Sequence, residues 1–194
     1  MSSESIQNWK IGGFFVVEKH KSCCFVGHRS VPHTPQLKSK LQELVQYLVA
    51  SCNVQTFLFG SKSTFNDLCY QVVTEAKKAH PHIQRVAYTC KSESCTLQSN
   101  LEQSQAIYKR FDTSVAFPFV VEQEVKYPSK HVAGKACYVQ RNMAMVDASD
   151  FCVFYFCKGY VVAQGKENSA KSGTATAHAY AIKRGKVVFN VAQN

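Results

Sequence analysis

The sequence predicts an α/β protein: a three-layer sandwich with helices on both faces of a mainly parallel central sheet. Four short apolar runs, at residues 23–26, 56–59, 151–156 and 187–191, have the length of buried strands and are rich in β-branched and aromatic side chains. They lack strict polar alternation, as strands covered on both faces do. Between them lie segments with apolar residues at helical spacing, and short joints in such a rhythm imply crossovers between parallel strands.

Taken in order, residues 1–22 read as an N-terminal extension with one edge strand at 14–17, and residues 23–194 as a single domain. After the run at 23–26, Leu37, Leu41, Leu44, Val45, Leu48 and Val49 form a helical stripe, opened by Thr34 as cap and Pro35 in the first turn. After 56–59, a second stripe runs through Phe65, Leu68, Cys69, Val72, Val73 and Ala76, opened by Ser63 or Thr64. Residues 86–90 are a weaker fifth strand. The stretch 91–135 breaks the rhythm: a helix over 100–109, then an extended segment carrying Pro118 and Pro128. It is expected to be an insertion beside or over the ligand-binding edge of the sheet. Helices over 138–147 and 174–183, the second ended by Gly185, flank the run at 151–156.

Composition narrows the class. The 194 residues are 45% hydrophobic and 19% charged, too apolar for a disordered chain, and no apolar run approaches bilayer-spanning length. The N-terminal apolar stretch is short, holds two glycines and follows no basic region, so it is no secretory signal. Nine cysteines, several inside apolar runs, fit a reduced, cytoplasmic protein. The net charge of +10 suits a polyanionic partner, but the Lys and Arg residues form no run of four. Cys90 and Cys95 with His80 and His82 lack regular zinc spacing, so no metal and no resident cofactor are expected.

In an open parallel sheet, ligands bind outside the carboxyl ends of the strands. There the sequence places Gly27, His28 and Arg29 after the first run, and Gly60, Ser61, Lys62 and Ser63 after the second. Ser172, Gly173 and Thr174 open the last helix. Glycine admits close backbone approach, helix starts offer unpaired N–H groups, and the cations add charge, a combination suited to phosphate. Each element also has a plain structural role as cap or turn. Arg141, four residues before Met145, could clamp a phosphate or pair with Asp147 or Asp150. Neither a G-x-G-x-x-G fingerprint nor a Walker A loop is present.

The segments Cys24-Phe25-Val26-Gly27-His28-Arg29 and Phe57-Leu58-Phe59-Gly60-Ser61-Lys62-Ser63 resemble the YpsA/YoqJ-like branch of the SLOG superfamily. So do the stretch from Tyr138 through Arg141, Met145, Asp147 and Asp150, and the later Ser172-Gly173-Thr174 with Tyr180-Ala181. The resemblance spans about residues 23–192 and implies a Rossmann-like fold with a pocket for nucleotides or nucleotide-derived ligands. Asn66 stands where the branch usually has Asp, and there it could still hydrogen-bond a ribose. The superfamily also includes the LOG phosphoribohydrolases, whose later loop carries a glutamate. Ala177 stands at that position, leaving Arg141 as a weak catalytic candidate.

Three functions follow as expectations. The first is binding or sensing of a phosphorylated nucleotide-derived small molecule at the strand ends. The second is nucleotide hydrolysis of phosphoribohydrolase type, with Glu122, Glu124 or His28 recruited. The third, since the superfamily also contains the DNA-processing protein DprA, is single-stranded nucleic-acid binding. No membrane partner is expected, and a homo-oligomer is left open.

Overall fold

A computed structural model of the chain describes residues 20–61, 63–99, 119–128, 135–159 and 172–192. The first strand, β1 (Lys21–Gly27), shows why the sheet lies in the middle of the molecule. Its side chains alternate between two cores: Cys23 and Phe25 on one face, Cys24 and Val26 on the other, all 2% exposed or less. A strand buried on both faces has no reason to alternate polar and apolar residues.

Thr34 caps α1 (Pro35–Cys52) by accepting the Leu37 N–H at 3.2 Å, and Asn53, left-handed at φ 55°, ends it. The chain continues through β2 (Val54–Phe59), α2 (Thr64–Ala79) and β3 (Gln84–Cys90). Leu41, Val45 and Leu48 of α1 and Phe65, Leu68 and Val72 of α2 cover one face, over Phe25 flanked by the rings of Phe57 and Phe59 at 5.9 and 5.4 Å. A two-residue ladder, β4 (Thr96–Leu97) with β5 (Val120–Val121), and then β6 (Gln123–Tyr127) follow. Next come α3 (Ala136–Asp147), β7 (Phe151–Tyr155), α4 (Gly173–Lys183) and β8 (Val187–Asn190). Met145 and Val146 of α3 with Ala177 and Ala181 of α4 cover the other face, over Cys24, Val26, Cys152 and Phe154.

The main sheet has the order β6-β3-β2-β1-β7-β8, and every neighbouring pair is parallel. This is the expected Rossmann-like three-layer sandwich. Strands 23–26, 56–59, 86–90, 151–156 and 187–191 and all four flanking helices form where periodicity places them, to within a few residues at the ends. Part of the 91–135 stretch does something else. Residues 123–127 join the central sheet as its edge strand, pairing Val86 with Gln123 and Cys90 with Tyr127. Their half-exposed, alternating pattern is that of an edge, which the search for apolar runs passes over. The expected strand at 14–17 and helix over 100–109 lie outside the described residues. Among the described residues no helix is long and apolar enough to cross a membrane.

One close approach fixes how α2 meets β1. A Cβ on Gly27 would lie 2.4 Å from the Phe65 ring, so only glycine lets the first turn of α2 settle against the end of the strand. Gly27→Ala is expected to lower stability by about 1–3 kcal/mol through overpacking. Urea denaturation should show this, with part recovered in the Gly27→Ala/Phe65→Leu double variant.

Candidate functional site

From β1 the chain moves outward through β2 and β3 to β6, then returns to the opposite side of β1 for β7 and β8. The order therefore reverses between β1 and β7, and the crevice between their carboxyl ends is where open α/β sheets bind ligands.

His28 follows β1 at this switch point and is 4% exposed. Its N–H donates to Tyr155 O at 3.3 Å, and its Nε2 accepts the Cys157 N–H at 3.1 Å. An acceptor Nε2 carries no proton, so this geometry belongs to the neutral ring protonated at Nδ1. Burial pushes its pKa below the ordinary 6.5, consistent with that form. Phe156 lies between two imidazoles, 6.1 Å from the His28 ring and 4.8 Å from His178. His178 is likewise lowered by burial.

The start of α2 is tied to the β1 exit. The Ser63 hydroxyl donates to His28 O at 2.9 Å, Thr64 N–H donates to Arg29 O at 2.9 Å, and Thr64 Oγ1 accepts the Val31 N–H at 2.8 Å. Ser63 sits at the cap position without a side-chain cap bond. Asn66 turns its Oδ1 to the Gly60 N–H at 3.0 Å. Ser63 and Asn66 thus hold the loops in place through their own side chains, whereas Arg29 is exposed. Lys62 lies outside the described residues.

Arg141, at 3% exposure, is buried behind this edge. Its Nη1 donates to Ser61 Oγ at 3.0 Å and Tyr88 O at 3.1 Å, and lies 4.0 Å from Glu93 Oε2. Ser61 donates in turn to Glu93 Oε1 at 2.5 Å, and Cys90 N–H reaches Glu93 Oε2 at 3.1 Å. A Cβ on Gly60 would stand 3.0 Å from Arg141 Cζ and Nη2. The guanidinium therefore packs flat against Gly60 and pins the β2 exit to the loop after β3. Sequence reasoning missed Glu93. Its partner lies 48 residues away in the chain, and no spacing rule links the two.

Across the crevice, Ser172 caps α4 by accepting the Ala175 N–H at 3.0 Å. The Gly173 and Thr174 N–H groups have no hydrogen-bond partner among the described residues. They form the positive end of α4 at this edge. The structure thus brings Gly27, His28, Arg29, Gly60, Ser61, Ser63, Asn66, Arg141, Ser172, Gly173 and Thr174 to the carboxyl side. Asp147 is not among them: α3 runs back across the sheet and leaves it at the amino edge, bonded to Tyr180 Oη at 2.9 Å and Arg184 Nε at 2.9 Å. Asp150 is there too, accepting the Ser22 N–H at 2.9 Å. Glu122 is bound by Arg85 at 2.8 Å at the amino end of β3, and Glu124 accepts Thr89 Oγ1 at 2.5 Å. Ala177 is fully buried in the core cluster of Cys24, Val26 and Phe154.

Charge divides along the same axis. At the carboxyl edge Arg29, Lys91, Lys135 and Lys158 are exposed, against the buried Glu93. The described residues leaving the carboxyl ends (28–34, 60–61, 63, 91–95, 128, 135, 156–159 and 172) carry four Lys and Arg against one Glu. The described turns at the amino edge (53, 80–83, 122, 148–150 and 184–186) carry two of each sign. Among the described residues the carboxyl-side segments therefore hold a net three positive charges and the amino-side turns none.

No family model and no curated protein matches this sequence. Among solved structures, the chain is similar to DNA processing protein A from Helicobacter pylori, described for its single-stranded DNA binding mode. The identity is 16% and the TM-score 0.53, over 90% of this chain and 66% of that one. This chain thus spans just under two thirds of that structure, and the two share a fold.

Two outcomes follow. Glu93→Ala leaves Arg141 buried without its carboxylate and should cost about 3–5 kcal/mol in chemical denaturation, with Glu93→Gln costing less because it keeps the acceptor. For His28, a lowered folded pKa means that the unfolded chain takes up the proton first. Its contribution is complete above the ordinary 6.5 and declines as pH falls below it toward the folded value. His28→Gln, which retains an acceptor, should lose less stability than wild type between neutral and mildly acid pH. His178, which titrates in the same direction, is common to both proteins.

Proposed function

We propose that this protein binds a phosphorylated, nucleotide-derived small molecule in the crevice between the carboxyl ends of β1 and β7. The observation that carries this reading is the charge division. Among the described residues, the segments leaving the carboxyl ends hold a net three positive charges, and those entering the amino ends hold none. Such an edge concentrates anions. Within it the Gly173 and Thr174 N–H groups, which have no partner among the described residues, and the start of α4 suit a phosphate, with Arg29 and Lys158 at hand in the flanking loops. The resemblance to the YpsA/YoqJ-like branch of the SLOG superfamily supports the same ligand class.

Arg141 acts in this reading as an anchor for the Gly60–Ser61 turn, held by Glu93, and touches the ligand at most through Nη2. The reading is one of binding without hydrolysis. Ala177 stands where a phosphoribohydrolase carries its glutamate, and Glu122 and Glu124 are engaged by Arg85, Thr89 and Lys126.

The breadth of the cationic edge favours a second reading, single-stranded nucleic acid. The likeness of fold to DNA processing protein A supports it. Cationic residues occur in the loops after β1, β3, β6 and β7, a span suited to several phosphates in a row.

Thermal shift against nucleoside monophosphates, ADP-ribose and cyclic nucleotides tests the first reading. A rise in Tm is expected for at least one of them. Arg29→Glu with Lys158→Glu, or Gly173→Asp, should weaken that ligand by roughly tenfold or more. No shift across the panel would overturn it. Fluorescence anisotropy with oligothymidylate tests the second. Affinity should then fall with salt, with a log–log slope of about −0.7 per phosphate contacted.

A further inference from the structure

Behind the Arg141–Glu93 pair lie two thiols that the proposed function does not use. Cys90 is the last residue of β3 and Cys137 the second of α3; both are fully buried, and their Sγ atoms are 3.3 Å apart. The Cys137 thiol points at Cys90 Sγ, and Cys90 Sγ points at Glu93 Oε2, 3.6 Å away. We propose that Cys90 and Cys137 form a redox-active dithiol, which a hydroperoxide closes into a disulfide joining the end of β3 to the start of α3.

Geometry carries the inference. A disulfide needs the sulfurs about 2.05 Å apart, so the pair must close by little more than 1 Å. The other cysteines packed together in the sheet differ in kind. Cys24 and Cys152 sit in register on adjacent central strands, where ladder spacing fixes the backbones. Cys90 and Cys137 are at element ends, beside the exposed Lys91 and Lys135, where the chain can yield. They also face each other across a strand–helix contact.

The chemistry balances with hydrogen peroxide as oxidant. One thiol attacks the peroxide and becomes a sulfenic acid, releasing one water. The second thiol displaces hydroxide from that sulfur to form the S–S bond, and its proton converts the hydroxide to the second water. Two electrons pass from the sulfurs to the peroxide oxygens. Burial holds the Cys90 thiol protonated, pushed up to about 12, so its proton must be taken as it reacts. Glu93 Oε2, at 3.6 Å, is placed to relay it.

Arg141 lies one helical turn after Cys137 on the same face of α3. Closing the disulfide therefore draws the first turn of α3 toward β3 and removes the thiol hydrogen bond to Glu93. The dithiol sets how firmly the Arg141 anchor is held. This does not depend on what the carboxyl edge binds.

The test is to treat the reduced protein with hydrogen peroxide, block free thiols, and map disulfide-linked peptides by mass spectrometry. The expected result is a Cys90–Cys137 cross-link as the dominant species. It should revert with dithiothreitol, raise Tm by several degrees, and slow amide exchange in the first turns of α3. Cys137→Ala, checked for a wild-type circular dichroism spectrum, should lose the cross-link and the Tm rise together. Cys52→Ala should keep both. Recovery of Cys90 and Cys137 as blocked free thiols while other cysteines pair, or a cross-link that leaves α3 exchange unchanged, would overturn the proposal.

Discussion

Parallel pairing is the constraint on which the rest of this structure depends. Two adjacent parallel strands cannot be joined by a tight turn, so the chain must cross back over the sheet between them. Every strand of the main sheet therefore ends at the same edge, and α1, α2, α3 and α4 begin there. Four positive helix ends and the loops carrying Arg29, Lys91, Lys135 and Lys158 collect on one side as a consequence of topology. The strand order reverses between β1 and β7, where the start of α2 is bonded to the β1 exit and α4 follows β7.

Many of the polar groups at this edge serve to build it. Ser63, Thr64, Asn66 and His28 join loop to loop and helix to strand. Arg141 belongs with them. A guanidinium at 3% exposure needs a counter-charge and hydrogen-bond acceptors, and Glu93, Ser61 and Tyr88 O provide these. The exposed Arg29, Lys135 and Lys158, and the Gly173 and Thr174 N–H groups with no partner among the described residues, stand apart from that framework.

Much of this was legible in the chain itself. The apolar runs and helical stripes determined the strands, the helices and hence the sandwich, because a strand buried on both faces and a helix buried on one leave different periodicities. Thr34-Pro35 and Ser172 marked helix starts correctly because capping is local chemistry. Gly27, Gly60 and the other strand exits were placed at one edge correctly because parallel strands all end on the same side. The edge strand at 123–127 was not found, since a half-exposed strand carries no apolar run.

What the sequence by itself determined was the architecture and the set of residues brought to the carboxyl edge, both products of local pattern and connectivity. Tertiary structure alone decided their roles. It turned Arg141 inward to Glu93, sent Asp147 and Asp150 to the opposite edge, gave the Ser63 hydroxyl to His28 O and set Cys90 against Cys137. The physical reason is the same each time. A side chain's role depends on which partners desolvate it and which donors or acceptors answer that desolvation. Those partners come from segments tens of residues away, whose proximity only the folded chain creates.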